Sequence, residues 1–512
     1  MSLWEENDDH DDLDEFDEPD GVDDRDDRDD RDDRDGRGPD GPGSGRPGGT
    51  GGRIVVLLVL LGLLAGGIVL ARQPSDVAAP RVTPVGVDGP VVPPADAVST
   101  AWYCAAGTSA AGGAEDETIH VANLSARPIT ATVTVDQGTD GDPRTGRLQL
   151  EPYARGSLAV GTVLATASPG VVVEVDGGQA VVEHEIRGNG DLAMSPCAEE
   201  PAADWYFAAG GTAKGSAQAL ELFNPFADDA IVDVSFLTEG GVQEPQALQG
   251  FVVGRRSKVI VPVQDLVPRQ DRVATVVHTR TGRVVAEQVR TFDGTDGRSG
   301  ITMSLGVTKP RGLWTLPVAE ARTGSTGAVA ISNFGLAPTT VQVTVLLSGD
   351  GVLAPETVDV PSRSVVDFDP NARVPAGDAY AIVVRAPGAT PVVAETFLDT
   401  SAAATATGAS TTARRWALAG APRRASSAVI AVNRGKRPLT VELRAYTAGD
   451  VNSPKSAPAI AVGPGKTARF DLDEWGIDPD QVLVVSANGP IVVGRETYEG
   501  GVSLALGVPF RR

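Results

Sequence analysis

The chain predicts a mainly β protein: four tandem β-sandwich repeats of immunoglobulin-like size, after a single transmembrane helix and a disordered acidic N-terminal tail. Three observations carry that reading. A Trp recurs at Trp102, Trp205, Trp314 and Trp416, with spacings of 103, 109 and 102 residues. Short alternating apolar runs between turn signals fill each interval, and helical periodicity is scarce there. One unbroken apolar run of 18 residues, Ile54 to Ala71, stands alone near the N-terminus.

Taken in order, the tail spans 1–52. Its first 50 residues hold 21 acids against 6 Arg, or −15 of the total charge of −24. An Asp-Asp-Arg triplet repeats from Asp23 to Arg34, followed by Gly/Pro/Ser-rich spacer. So little apolar surface cannot offset the entropy of ordering a backbone, which predicts disorder. The rest of the chain is mildly acidic and has no basic stripe, so nucleic acid is not an expected partner.

The anchor spans 53–72. Its apolar run 54–71 is close to the minimum for crossing a bilayer. Arg37, Arg46 and Arg53 precede it and only Arg72 and Arg81 follow closely, which keeps the N-terminus in the cytoplasm and sends the C-terminal repeats outside the cell membrane. Fifty residues ahead of the run, and no Ala-x-Ala site behind it, favour an uncleaved signal anchor over a cleaved signal peptide. Gly62 and Gly66 form a GxxxG pattern that could pair two such helices in a homodimer. A stretch rich in Pro, Val and Ala, 73–99, reads as a semi-extended stalk.

The repeats are assigned to 100–200, 201–310, 311–412 and 413–512. Each Trp is followed, after 21, 19, 19 and 17 residues, by Asn123, Asn224, Asn333 and Asn433. Each Asn ends an alternating strand, where its side chain can bond turn backbone. A late motif closes each repeat, read as Val181-Val182-Glu183-His184, Val284-Val285-Ala286-Glu287, Val392-Val393-Ala394-Glu395 and Val492-Val493-Gly494-Arg495. Units of about a hundred residues with some seven strands suit an antiparallel sandwich. The Trp is expected to cover one end of each core. The two cysteines, Cys104 and Cys197, open and close the first repeat, so outside the cytoplasm they are expected to form a disulfide.

The Trp-Tyr-x-Ala-x-Gly opening, the Asn and the late Val-Val-Ala-Glu resemble a repeat of bacterial surface proteins. Together with anchor and stalk, they look like an uncharacterised family of actinobacterial membrane-anchored envelope proteins, classed as a domain of unknown function. The resemblance implies a place in the cell envelope and assigns no reaction.

Chemistry is sparse. The histidines are His10, in the tail, with His120, His184 and His278. Glu183-His184-Glu185 could suggest a metal or acid/base cluster, but alternate side chains on a strand face opposite ways, so His184 faces away from both. Glu287 and Glu395 could serve in a carboxylate pair, yet their equivalent positions in different repeats favour a structural or interfacial role. Asp136, Asp140, Asp142, Asp293 and Asp296 lie in turn-rich loops without EF-hand spacing. No catalytic, metal or cofactor residues are therefore assigned. The expected function is a non-enzymatic scaffold or binding module for envelope proteins or glycans. The alternatives are an enzyme or accessory subunit of envelope polysaccharide metabolism, and a signal relay through the acidic tail.

Overall fold

A computed structural model describes residues 89–511, with short interruptions of which the longest is 321–325. The acidic tail, the apolar run 54–71 with Gly62 and Gly66, and most of the stretch read as a stalk lie outside the described residues. No helix among the described residues is long and apolar enough to cross a membrane.

The protein is mainly β, built from antiparallel sheets that come in successive pairs. In the first pair, one sheet has the order Ser99–Cys104, Gly170–Asp176, Ile129–Asp136, Arg144–Leu150. Its companion has the order Arg155–Ala159, Asp116–Asn123, Ala180–Gly188, Asp191–Pro196. The same order recurs between 313 and 407. There Leu313–Glu320, Ala379–Arg385, Thr339–Leu347 and Glu356–Val360 face Ser364–Phe368, Thr326–Asn333, Val393–Asp399 and Ala403–Thr407.

Between 204 and 305 the pattern is kept, with Phe251–Val253 as an extra strand on Ala230–Thr238. In the last block the 18-residue strand Val482–Glu499 runs through both layers. Its first half pairs with Ala413–Leu418 and Leu439–Tyr446, and its second half with Ser426–Asn433 and Gly501–Leu506.

Period-two patterning accounts for the strands. In Ile129–Asp136 the residues Ile129, Ala131, Val133 and Val135 are buried, while the threonines between them stay half-exposed. The β-branched side chains fill the space between paired sheets and leave a polar outer face.

The four blocks close on one another head to tail. Tyr103 and Val172, from the first sheet of block one, pack into the core of block two. Leu237 and Ala274 of block two join the core of block three. Leu346, Ala381 and Val383 of block three join block four. Ala417, Val482 and Val484 of block four return to block one, where Tyr446 stacks on Tyr153 at 4.5 Å. The last strands of the blocks, Asp191–Pro196, Ser299–Leu305, Ala403–Thr407 and Gly501–Leu506, lie side by side around the middle of this circuit.

The end of the expected stalk belongs to the folded body. Val91 and Val92 are buried, and the Val92 N–H donates to the Pro509 carbonyl at 2.8 Å. Apolar Val91 and Val92 bury themselves beside the last strand, which a semi-extended spacer would not do.

Candidate functional site: buried carboxylates between blocks

Each recurring Trp is buried. The indole N–H donates to the carbonyl of Val284 from Trp205, of Val392 from Trp314 and of Ile491 from Trp416, at 2.7, 2.7 and 3.1 Å. In block one the Trp102 indole N–H has no partner among the described residues. The disulfide is there instead: Cys104 and Cys197 are bonded, with Cα atoms 4.8 Å apart. The same place in the other blocks holds a large apolar residue facing a glycine. Gly306 faces Phe207, Gly408 faces Leu316 and Gly507 faces Leu418, with little room for a Cβ at the first two. The cross-link thus replaces a packing pair.

The four asparagines are also wholly buried. Asn333 donates to the carbonyls of Ala337 and Pro361 at 2.9 and 3.0 Å and accepts the Gly335 N–H at 2.9 Å. Asn123 and Asn433 make the equivalent bonds to Arg127 and Glu151 and to Arg437 and Gly463, while Asn224 bonds Asp228 and Val253, the counterpart of Val360 that Asn333 also reaches. Each is a side chain standing in for missing ladder bonds where a strand meets its turn.

Strand pairing corrects the late motif. Opposite the residue three before each Asn stand Glu183, Glu287, Glu395 and Gly494. The fourth position in blocks one and four is therefore Glu183 and Gly494, where aligning the Val-Val pairs had put His184 and Arg495. A one-residue slip moves a strand side chain to the opposite face, so the slip had hidden an acid in block one.

With that register, one interaction repeats around the circuit. Glu287 of block two accepts the N–H groups of Ala105 and Ala106 of block one, both at 2.6 Å. Glu395 of block three accepts those of Ala208 and Ala209 of block two, at 3.1 and 2.6 Å. Glu183 of block one accepts that of Ala419 of block four at 2.9 Å. The donors follow the buried Trp by three or four residues, where the opening strand leaves its ladder and its N–H groups would otherwise be orphaned. At the remaining junction the acceptor is lost and so is a donor. Gly494 stands against Pro317, whose ring carbon lies 2.8 Å from where a Cβ on Gly494 would be. Proline has no N–H to satisfy.

The second oxygen of each acid is also engaged. Glu287 takes the His184 Nε2 at 2.9 Å, while His184 Nδ1 lies 3.1 Å from Glu117. Burial alone would push the His184 pKa down, but Glu287 and Glu117 raise it to about 10, so the ring is an imidazolium. Burial raises the Glu117 carboxyl, partly countered by His184. Glu183 is held by Arg495 at 2.7 Å, and Arg495 also donates to the Gly420 carbonyl at 2.5 Å. Glu395 takes the Thr407 hydroxyl at 3.3 Å, and burial pushes its carboxyl up to about 7 against the Ala208 and Ala209 N–H groups.

Beside Glu287, directly across the ladder, Glu221 pairs with the buried Lys258 at 2.7 Å and accepts the Gly107 N–H at 3.3 Å. Lys258 also donates to the Gly107 carbonyl.

His184 does face away from Glu183 and Glu185, and meets carboxylates from a neighbouring strand and a neighbouring block. His120 bonds Ser157 and Glu185 at 2.9 and 3.1 Å, and burial drops its pKa to about 4. The exposed His278 bonds Asp204 at 2.8 Å. Asp136 is buried at a strand end, while Asp140 and Asp296 lie outside the described residues. Among the described residues, the side chains close enough to share a metal are Cys104, His184 and Cys197, and two of these three are spent in the disulfide. These buried acids accept hydrogen bonds and fix one block against the next.

No curated protein matches the chain. Residues 185–302, from the late strand of block one to the last strand of block two, match the model of a family of unknown function, DUF5719, and that stretch is accordingly similar to an uncharacterised domain.

Proposed function

We propose that this chain is a non-enzymatic, single-pass membrane-anchored protein of an actinobacterial-type cell envelope. In this reading its four blocks are tandem sandwich repeats that form a stiff platform for envelope proteins or glycans. The observation that carries the proposal is the closed circuit of junctions, three of them sealed by a buried carboxylate on backbone N–H groups. Buried polar contacts of this kind lock orientation. They leave the strand-connecting loops and outer sheet faces to make contacts. The apolar run 54–71 supports the anchor, and the arginines ahead of it support a cytoplasmic N-terminus.

The test is cross-linking in the native cell followed by capture of the tagged full-length protein. Co-enrichment of named envelope-assembly enzymes supports the platform. Recovery of the bait alone, or turnover of wall glycan by the purified protein, refutes it.

A further inference from the structure

A groove of about 480 Å³ lies on block four, lined by Arg414, Arg415, Pro490, Phe510 and Arg511. We infer that this groove binds a phosphate-bearing anion. Three arginines line it, in a chain of net charge −24. Among the described residues, neither Arg414 nor Arg415 has a carboxylate within ion-pair distance, and Arg511 reaches only Glu199, at 3.5 Å and largely in solvent.

The Arg415 guanidinium lies over the Phe510 ring, 4.1 Å from its centroid. Stacking fixes the plane of the guanidinium and leaves its N–H edge for a ligand. Phe510 is itself held, its N–H donating to the Arg415 carbonyl at 3.0 Å beside a bridge to Val92. A fork of donors held in plane suits phosphate oxygens, which accept two parallel bonds from one guanidinium.

The four equivalent positions single out this place. The two residues before each Trp are Thr100-Ala101, Ala203-Asp204, Gly312-Leu313 and Arg414-Arg415. In block two the acid is tied to His278. The fold needs no charge here, since the first and third blocks do without one. The arginine pair is an addition to one block only.

The test uses the full-length protein in neutral detergent micelles, titrated with glycerol 1-phosphate and, separately, with phosphatidylglycerol doped into the micelles against phosphatidylcholine. Saturable binding is expected, weakening as salt is added. The double variant R414Q/R415Q is expected to lose about tenfold or more in affinity. R423Q, an exposed arginine tied to Asp480, is expected to bind as wild type. Unchanged melting of all three proteins shows that the fold is intact. Binding of both ligands identifies a general phosphate site, and binding of phosphatidylglycerol alone identifies a lipid headgroup. Failure of both ligands to bind, or equal binding by R414Q/R415Q, overturns the inference.

Discussion

Removing the Glu287 carboxylate is the most informative perturbation. In Glu287→Ala the N–H groups of Ala105 and Ala106 lose their acceptor, and His184 keeps only Glu117. Each orphaned buried N–H costs about 1–3 kcal/mol, so the pair costs about 2–6 kcal/mol, and the loss of one of the two carboxylates facing the buried imidazolium adds to that. Block four supplies the control, because there a glycine and a proline replace acid and donor. Ala105→Pro removes one N–H and Glu287→Gly removes the acceptor. Together they recreate the Pro317 and Gly494 pair, so the double variant is expected to lose about 1 kcal/mol or more less than the sum of the singles. Urea unfolding with the disulfide intact reads the cycle, and exchange at the Ala105 and Ala106 amides reports the local bond. Additive losses, or Glu287→Ala as stable as wild type, would refute the junction argument.

Further outcomes concern pH, covalent linkage and backbone. Burial raises the Glu395 carboxyl from an ordinary 4.5 to about 7, so its stability contribution is complete below pH 4.5 and is lost as pH rises to 7. Glu395→Gln should flatten a urea midpoint profile over that interval, and an unchanged slope contradicts the assignment. Replacing both Cys104 and Cys197 by Ser should cost about 4–5 kcal/mol, given their sequence separation of 93 residues. The pair Cys104→Leu with Cys197→Gly, copying block four, should recover the packing share alone, as melting temperatures will show. Asn333→Ala strips partners from two carbonyls and one N–H, and about 2–4 kcal/mol should disappear in urea titrations. Arg256 has φ 47° where block four has Gly465 at φ 64°. Arg256→Gly should therefore be neutral to stabilising, by up to about 1 kcal/mol, and a clear drop in melting temperature contradicts the strain.

Landmarks that act within one block were legible in the sequence, and those that act between blocks were not. Trp102 and its equivalents, the four asparagines and the cysteine pair each serve their own block, so a fixed spacing exposes them. Glu183 serves block four from more than two hundred residues away, and only the folded arrangement brings it to Ala419. The Val-Val pair was a poor anchor for alignment because Val181-Val182 sits one residue later in block one than Val284-Val285 does in block two. Aligning the acids at Glu183, Glu287 and Glu395, spaced by 104 and 108 residues, would have given the correct register. The role of His184 depended on Glu117 and Glu287, whose approach no local pattern encodes.

Closure of the circuit also governs how such a chain can change in length. An open array of stacked units accepts one more or one fewer at its ends, because every junction is independent of the total. Here block four must meet block one, so each junction turns the chain by roughly a quarter of a revolution and the tally of units is fixed by geometry. Deleting one block would leave two faces that no longer reach each other, and inserting one would force all the others to re-aim. Variation is thus confined to loops, strand edges and single positions such as the Gly494 and Pro317 pair, while the number of blocks behaves as all or nothing.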